Sequence, residues 1–163
     1  MKKETLETIL RRVIYVGIFL IPFIPFIVMD GSITGLYLPG MFFPFITGKN
    51  FAFRIIVEII LACWLILALR DSRYAPRNSW ILKAIALFLC IMAVADIFSV
   101  NPTKSFWSNF ERMEGYLSLM HLGAFFLVAG TMLRADKLWQ RLFNTSLVAS
   151  LGIAVYGFMQ LAG

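Results

Sequence analysis

Residues 51–69, FAFRIIVEIILACWLILAL, decide the fold because they form a nearly uninterrupted apolar run of 19 residues. At about 1.5 Å of rise per residue, an α-helix of this length spans about 28 Å, close to the hydrocarbon thickness of a bilayer. The charged residues of the run, Arg54 and Glu58, both lie near its start. The run is therefore predicted to be a transmembrane helix.

Four further apolar runs predict four more spanning helices, at residues 13–29, 80–100, 116–133 and 142–161. The whole chain of 163 residues is 60% hydrophobic and 15% charged, whereas soluble domains carry about 25% charged residues. We therefore expect an all-α fold, a polytopic integral membrane bundle of five transmembrane helices in a single domain. Pro22 and Pro25 predict a kink in the first helix because proline removes an internal hydrogen bond.

The positions of the basic residues predict the orientation of the bundle. With a cytoplasmic N-terminus, eleven Lys and Arg residues fall on inside segments and four fall outside: Lys49, Arg54, Lys104 and Arg112. This bias follows the positive-inside rule, and it places residues 30–50 and 101–115 in outward-facing loops. Short basic clusters between apolar runs also argue against a nucleic-acid partner, despite the net charge of +6.

The cysteine and histidine content gives no sign of a disulfide, a metal site or a cofactor. Cys63 and Cys90 each lie in the middle of an apolar run, where a free cysteine behaves as a small hydrophobic residue. His121 is the single histidine of the chain, so no Cys/His cluster is present in the sequence.

The outward segments combine cations with aromatic residues, which suits a lipid head group bearing phosphate. Arginine can hold phosphate oxygens with two hydrogen bonds, and lysine adds positive charge. The alternative is an ordinary aromatic belt, with the cations extending to water. The candidate phosphate-binding residues are Lys49, Arg54, Lys104 and Arg112, with the acids Glu111 and Glu114 beside them.

Three ionisable residues within the spans, Glu58, Asp96 and His121, are candidates for function because such groups are costly in lipid. Arg54 and Glu58 are four residues apart and can neutralise each other on one helix face. Structural pairing and a role in a substrate pocket both remain open for these groups. His121 is either a packing residue or an acid/base.

Glu111 and Glu114 raise the question of a carboxylate pair for glycoside chemistry. Their spacing of three residues in a short loop does not establish such a pair. Ion pairing with Arg112 and Lys104 is the favoured interpretation.

Several short motifs resemble the early part of the O-antigen ligase and polymerase family, which are bacterial membrane glycosyltransferases. They are LYLP at 36–39, FITGKNF at 45–51, ADIFSVNP at 95–102, SFW at 105–107, ERMEGY at 111–116 and VYGFMQ at 155–160. The resemblance covers most of the chain from about residue 36.

The resemblance implies transfer of an undecaprenyl-diphosphate-linked glycan to a lipid or glycan acceptor, at the outer face of the bacterial inner membrane. It implies no nucleotide sugar and no metal. In the family, a large outward loop in the later half supplies essential Arg and His residues, and that loop has no counterpart here. The residues that match are Lys104, Glu111, Arg112, Glu114 and Gly115, which are expected to contact carrier phosphate or to support the later loop.

These expectations make the chain the N-terminal part of a longer protein, or one completed by a partner subunit. No catalytic residue is assigned, and whether this chain alone is an enzyme is left open. The alternative is a non-enzymatic transporter piece or assembly subunit, in which Arg54, Glu58 and Asp96 line a polar path.

Overall fold

The computed structural model describes residues 2–27, 46–109 and 114–162, and these residues are helical with no strand among them. The α-helices are α1 (Lys2–Leu20), α2 (Thr47–Arg70), α3 (Trp80–Ile97), α4 (Pro102–Trp107), α5 (Tyr116–Met132) and α6 (Asp136–Ala162). The all-α prediction is confirmed for this part of the chain.

Four helical segments are long and apolar enough to cross a membrane: Thr5–Phe26, Thr47–Arg70, Trp80–Ile97 and Asp136–Leu161. The predicted fourth span is present as α5, but its 17 residues make it shorter than the other four. The prediction of five spanning helices is therefore corrected to four of sufficient length and one shorter apolar helix among the described residues.

The predicted kink lies at the end of α1. The α-helix ends at Leu20 and continues as a 3-10 helix, Ile21–Phe26, which contains Pro22 and Pro25. Each proline lacks the N–H that an α-helical turn would use, so the tighter winding follows from the sequence. The last residues of the predicted span, 28 and 29, lie outside the described residues.

Two other boundaries differ from the predictions. Helix α3 ends at Ile97 rather than at residue 100, and Asn101 and Pro102 begin the short helix α4. The Asn101 side chain accepts a hydrogen bond from the Lys104 N–H, a standard N-cap, and proline is favoured in a first turn. Helix α6 starts at Asp136, before the predicted residue 142, because an acidic residue suits a helix N-terminus.

The core lies among α1, α2 and the C-terminal half of α5. Ile14 and Ile18 of α1 and Val57 and Ile60 of α2 are fully buried. By contrast, no residue of α3 is buried, although the helix consists almost entirely of apolar residues. Such an exposed apolar surface suits contact with lipid or with other apolar helices.

The helices place the predicted inside segments together. The Tyr74 hydroxyl donates to a Glu7 carboxylate oxygen at 2.6 Å, which joins the segment after α2 to α1. The Arg134 guanidinium contacts the Ala75 carbonyl at 3.5 Å, which adds the turn between α5 and α6. We call this region, residues 5–11, 70–77 and 133–137, the basic end, and residues 96–108 and 114–118 the motif end.

Candidate functional site

Two polar contacts connect α2 to α5 near the motif end. The Arg54 guanidinium donates to the Ser118 hydroxyl at 3.0 Å, and the arginine is only 9% exposed. One turn further along each helix, His121 Nε2 lies 3.2 Å from Glu58 Oε1. Residues three and four apart share a helix face, so the two contacts lie one above the other along the interface between α2 and α5.

The His121–Glu58 contact is asymmetric in its exposure. The imidazole side chain is 11% exposed and the carboxylate side chain is 67% exposed. The second ring nitrogen, Nδ1, contacts the Leu117 carbonyl at 2.7 Å on the same helix. The ring is therefore held at both nitrogens, while the carboxyl group is open on one side.

The sequence predicted that Arg54 and Glu58 can neutralise each other on one helix face, and the structure places them one turn apart on α2. It also gives each residue a partner on α5. The Glu58–His121 pair was missed because its members are 63 residues apart, and no local pattern relates positions at that separation.

Asp96 lies in the last turn of α3 and contacts α4. One carboxylate oxygen, Oδ1, accepts a short hydrogen bond from the Ser105 hydroxyl. The Ser99 hydroxyl donates to the Asp96 carbonyl at 2.8 Å. The other oxygen, Oδ2, is buried and has no hydrogen-bond partner among the described residues.

Helices α3, α4 and α5 line an open cavity of about 410 Å³ beside Asp96. Its wall is mainly apolar and contains three aromatic residues, Phe106, Trp107 and Tyr116. The ring centroids of Phe106 and Trp107 are 5.2 Å apart in an edge-to-face arrangement, and those of Phe106 and Tyr116 are 6.0 Å apart. The Tyr116 hydroxyl donates to the Leu89 carbonyl at 2.9 Å, which connects α5 to α3.

Gly115 brings α5 against α4. A Cβ atom at this position would lie 2.5 Å from the Ser105 carbonyl oxygen and 2.6 Å from the Phe106 carbonyl carbon. Both are backbone atoms, so a side chain cannot be accommodated without moving the main chain. The glycine of the ERMEGY motif is therefore required by close backbone approach.

The remaining predicted site residues are placed as follows. Lys49 is partly buried in the first turns of α2, so residues 47–50 belong to a helix rather than to the predicted surface loop. Lys104 on α4 and Glu114 before α5 are exposed. Glu111 and Arg112 lie outside the described residues, so their predicted ion pairing stays a prediction.

Within the described residues, no group of three or more His, Cys, Asp or Glu side chains is arranged to hold a metal ion. Cys63 and Cys90 are free thiols.

The basic end has its own network of polar side chains. Arg73 forms an ion pair of 2.6 Å with Asp71, and a side-chain hydrogen bond from Arg73 lowers the pKa of the Asp71 carboxyl. Burial raises the pKa of the Tyr74 hydroxyl, and its hydrogen bond to Glu7 raises that pKa further. Both causes favour the neutral phenol.

The raised pKa of Tyr74 predicts that the fold loses stability in alkali. A phenol whose pKa is raised on folding stabilises the fold below the ordinary pKa of about 10, and this contribution is lost as pH rises through the folded pKa. Ultraviolet difference titration of wild type against Tyr74→Phe should show Tyr74 ionising above that ordinary value. Alkaline unfolding should also depend less on pH in the variant. Ionisation of Tyr74 at or below its ordinary pKa would contradict the prediction.

Comparison with known proteins supplies no relative: no family model, no curated protein and no solved structure matches the chain. Its function is therefore inferred from its own residues and their arrangement.

Proposed function

We propose that the chain is a multi-pass protein of the bacterial inner membrane whose basic end and N-terminus face the cytoplasm. Four helices have the length and composition for crossing a bilayer. The sequence count of eleven inside cations against four outside supports this orientation. The motif end then faces outward.

We further propose that the chain forms the front portion of an O-antigen-ligase-like glycosyltransferase, with undecaprenyl-diphosphate-linked glycan as its ligand. One observation carries this proposal: residues from separate family-like motifs line the same cavity. Asp96 and Pro102 come from ADIFSVNP, Phe106 and Trp107 from SFW, and Tyr116 from ERMEGY. These motifs follow one another between residues 95 and 116, and α3, α4 and α5 bring their residues to one cavity.

The cavity has the chemistry of a sugar subsite. A sugar ring presents apolar C–H faces that pack on aromatic rings, and hydroxyl groups that donate hydrogen bonds. Phe106, Trp107 and Tyr116 supply the rings, and the Thr103 hydroxyl supplies a polar group beside them. A mostly apolar wall with a few polar groups is typical of ligand-binding cavities.

The carrier diphosphate requires positive charge next to this cavity. Lys104 lies on α4, whose residues Phe106 and Trp107 form part of the cavity wall. Arg112 follows α4 in the sequence and is the second proposed phosphate contact. The proposal assigns binding to these residues and assigns no catalytic residue.

The test compares two carrier lipids in nanodiscs containing the full chain: undecaprenyl diphosphate bearing one N-acetylhexosamine, and bare undecaprenyl diphosphate. Wild type should bind the sugar-bearing lipid more tightly. Trp107→Ala should reduce that preference by up to about tenfold, since an aromatic contact contributes roughly 0.5–1.5 kcal/mol. Arg112→Ala should weaken binding of both lipids and lower surface-polymer attachment in cells.

Trp80→Ala is the matched control, because Trp80 is an exposed tryptophan at the other end of α3. It should leave the preference unchanged. Equal binding of the two lipids by wild type, or equal losses in the two tryptophan variants, would contradict the proposed sugar subsite. Unchanged polymer attachment in Arg112→Ala, at normal protein level, would remove the proposed phosphate contact.

The second candidate is a proton-coupled transporter piece or assembly subunit. The observation that favours it is the Glu58–His121 contact within apolar helices, since intramembrane carboxylates and histidines serve as proton relays. Its distinguishing result is solute movement in proteoliposomes that depends on a pH gradient and disappears in Glu58→Gln.

A further inference from the structure

The hydrogen bonds of His121 determine where its protons lie. The Leu117 carbonyl can only accept a hydrogen bond, so Nδ1, 2.7 Å away, must carry a proton and donate it. Nε2 lies 3.2 Å from Glu58 Oε1. In a neutral imidazole with Nδ1 protonated, Nε2 is an acceptor, and an ionised carboxylate is also an acceptor.

Two acceptors facing each other at this distance repel, so a proton must lie between them. It resides either on Nε2, giving an imidazolium–carboxylate pair, or on Glu58, giving an imidazole–carboxylic acid pair. Both arrangements have zero net charge. Losing the proton leaves two acceptors facing each other, and gaining a second leaves two donors facing each other.

The charged and titratable groups on the surrounding helices do not replace this proton. Arg54 of α2 interacts electrostatically with Glu58 and donates to Ser118. The other groups on the packed helices are Lys2, Lys3, Glu4, Glu7, Arg11, Arg12 and Tyr15 on α1, Lys49, Cys63 and Arg70 on α2, Lys83, Cys90 and Asp96 on α3, Lys104 on α4 and Tyr116 on α5. Of these, Tyr15 donates to Met132, Tyr116 donates to Leu89, and Asp96 accepts from Ser105.

We propose that Glu58 and His121 form a proton-binding site that holds one proton between α2 and α5. The exposed carboxyl group of Glu58 is the point at which the proton enters and leaves, because the imidazole is nearly buried. On exchange, the O–H or N–H bond of the pair breaks and the proton passes to water or to a polar group of a bound molecule. This assignment is independent of the proposed glycan ligand.

The single histidine of the chain makes the site directly measurable. Labelling with ¹⁵N-histidine in the full chain in nanodiscs yields signals from His121 alone. We expect Nδ1 to be protonated near pH 7, because its neighbour is a carbonyl oxygen that can only accept. Infrared spectra of wild type minus Glu58→Gln report whether Glu58 carries a carboxylic-acid proton.

Each combination of the Nε2, Nδ1 and Glu58 protonation states either supports or overturns the proposed site. Protonated Nε2 with ionised Glu58 supports the first arrangement, and unprotonated Nε2 with a Glu58 carboxylic-acid band supports the second. Unprotonated Nε2 together with ionised Glu58 near pH 7 overturns the proposal, as does an unprotonated Nδ1. These measurements on wild type are decisive even if a variant folds poorly.

Two variants test whether the shared proton depends on the pair. In Glu58→Gln, the side-chain amide N–H can donate to Nε2, so Nε2 should carry no proton near pH 7. Asp136→Asn is the matched control, because it removes one carboxylate in the first turn of α6, at the basic end. The His121 spectrum should be unchanged in this variant, and an equal change in both variants would overturn the assignment.

Discussion

Replacing Gly115 with alanine is expected to separate α4 from α5 and to abolish the aromatic cavity. The added methyl group would overlap the main chain at Ser105 and Phe106, including the Phe106 carbonyl oxygen. Backbone atoms at the end of a helix cannot move aside as a flexible side chain can, so α4 must shift as a unit. Overpacking of this kind typically lowers the free energy of unfolding by about 1–3 kcal/mol.

The measurement combines thermal unfolding in detergent with the two-lipid binding assay. Gly115→Ala should lower the unfolding temperature and abolish the preference for the sugar-bearing lipid, although the residue itself is not among those that line the cavity. Gly130→Ala is the control, because a Cβ atom there meets nothing within 4 Å. A Gly115→Ala protein as stable as wild type would disprove the close approach of α4 and α5.

Replacing Gly17 with alanine is expected to force α1 away from α2. The Cβ atom would overlap Cγ2 of Ile60, a fully buried residue in the centre of the core. Small residues allow helices to approach closely in membrane bundles, and Gly17 has this role here. The unfolding free energy should again fall by about 1–3 kcal/mol, because a β-branched side chain in a helix has one strongly preferred χ1 rotamer and cannot readily turn its Cγ2 aside.

A second substitution distinguishes this clash from a general effect of alanine. Leucine has a single γ carbon on Cβ, so Ile60→Leu removes the overlapping methyl group and should restore part of the stability of Gly17→Ala. Ile60→Val retains both γ carbons and should restore none. Thermal unfolding of the single and double variants gives the coupling energy between the two positions. Equal effects of leucine and valine would show that the overlap is not the cause.

The sequence predicted the helices well where the apolar residues formed a continuous run. Residues 51–69 form α2 with little change at either end, and Pro22 and Pro25 mark the change to a 3-10 helix. The short helix α4 was missed because residues 101–115 were predicted to form an outward-facing loop, and Asn101 and Pro102 are residue types that often end helices. The same residue types also begin helices, and six residues are too few to show a periodic pattern.

The candidate site was predicted as individual residues and not as an arrangement. Arg54, Glu58, Asp96 and His121 were each selected because ionisable groups are costly within apolar helices. Only Arg54 and Glu58 were related to each other from the sequence, since they share a helix face, and their ion pair stays a prediction. The contacts of Glu58 with His121 and of Asp96 with Ser105 depend on which helices are neighbours.

Helix positions and apolar character were determined by the sequence alone, because they depend on residues close together in the chain. The tertiary structure decided three features: the contact between Arg54 and Ser118, the contact between Glu58 and His121 that holds the proposed proton, and the cavity beside Asp96. The physical reason is close packing: whether two distant side chains meet depends on how near their helices approach, as Gly17 allows against Ile60. That approach depends on the shapes of both surfaces together.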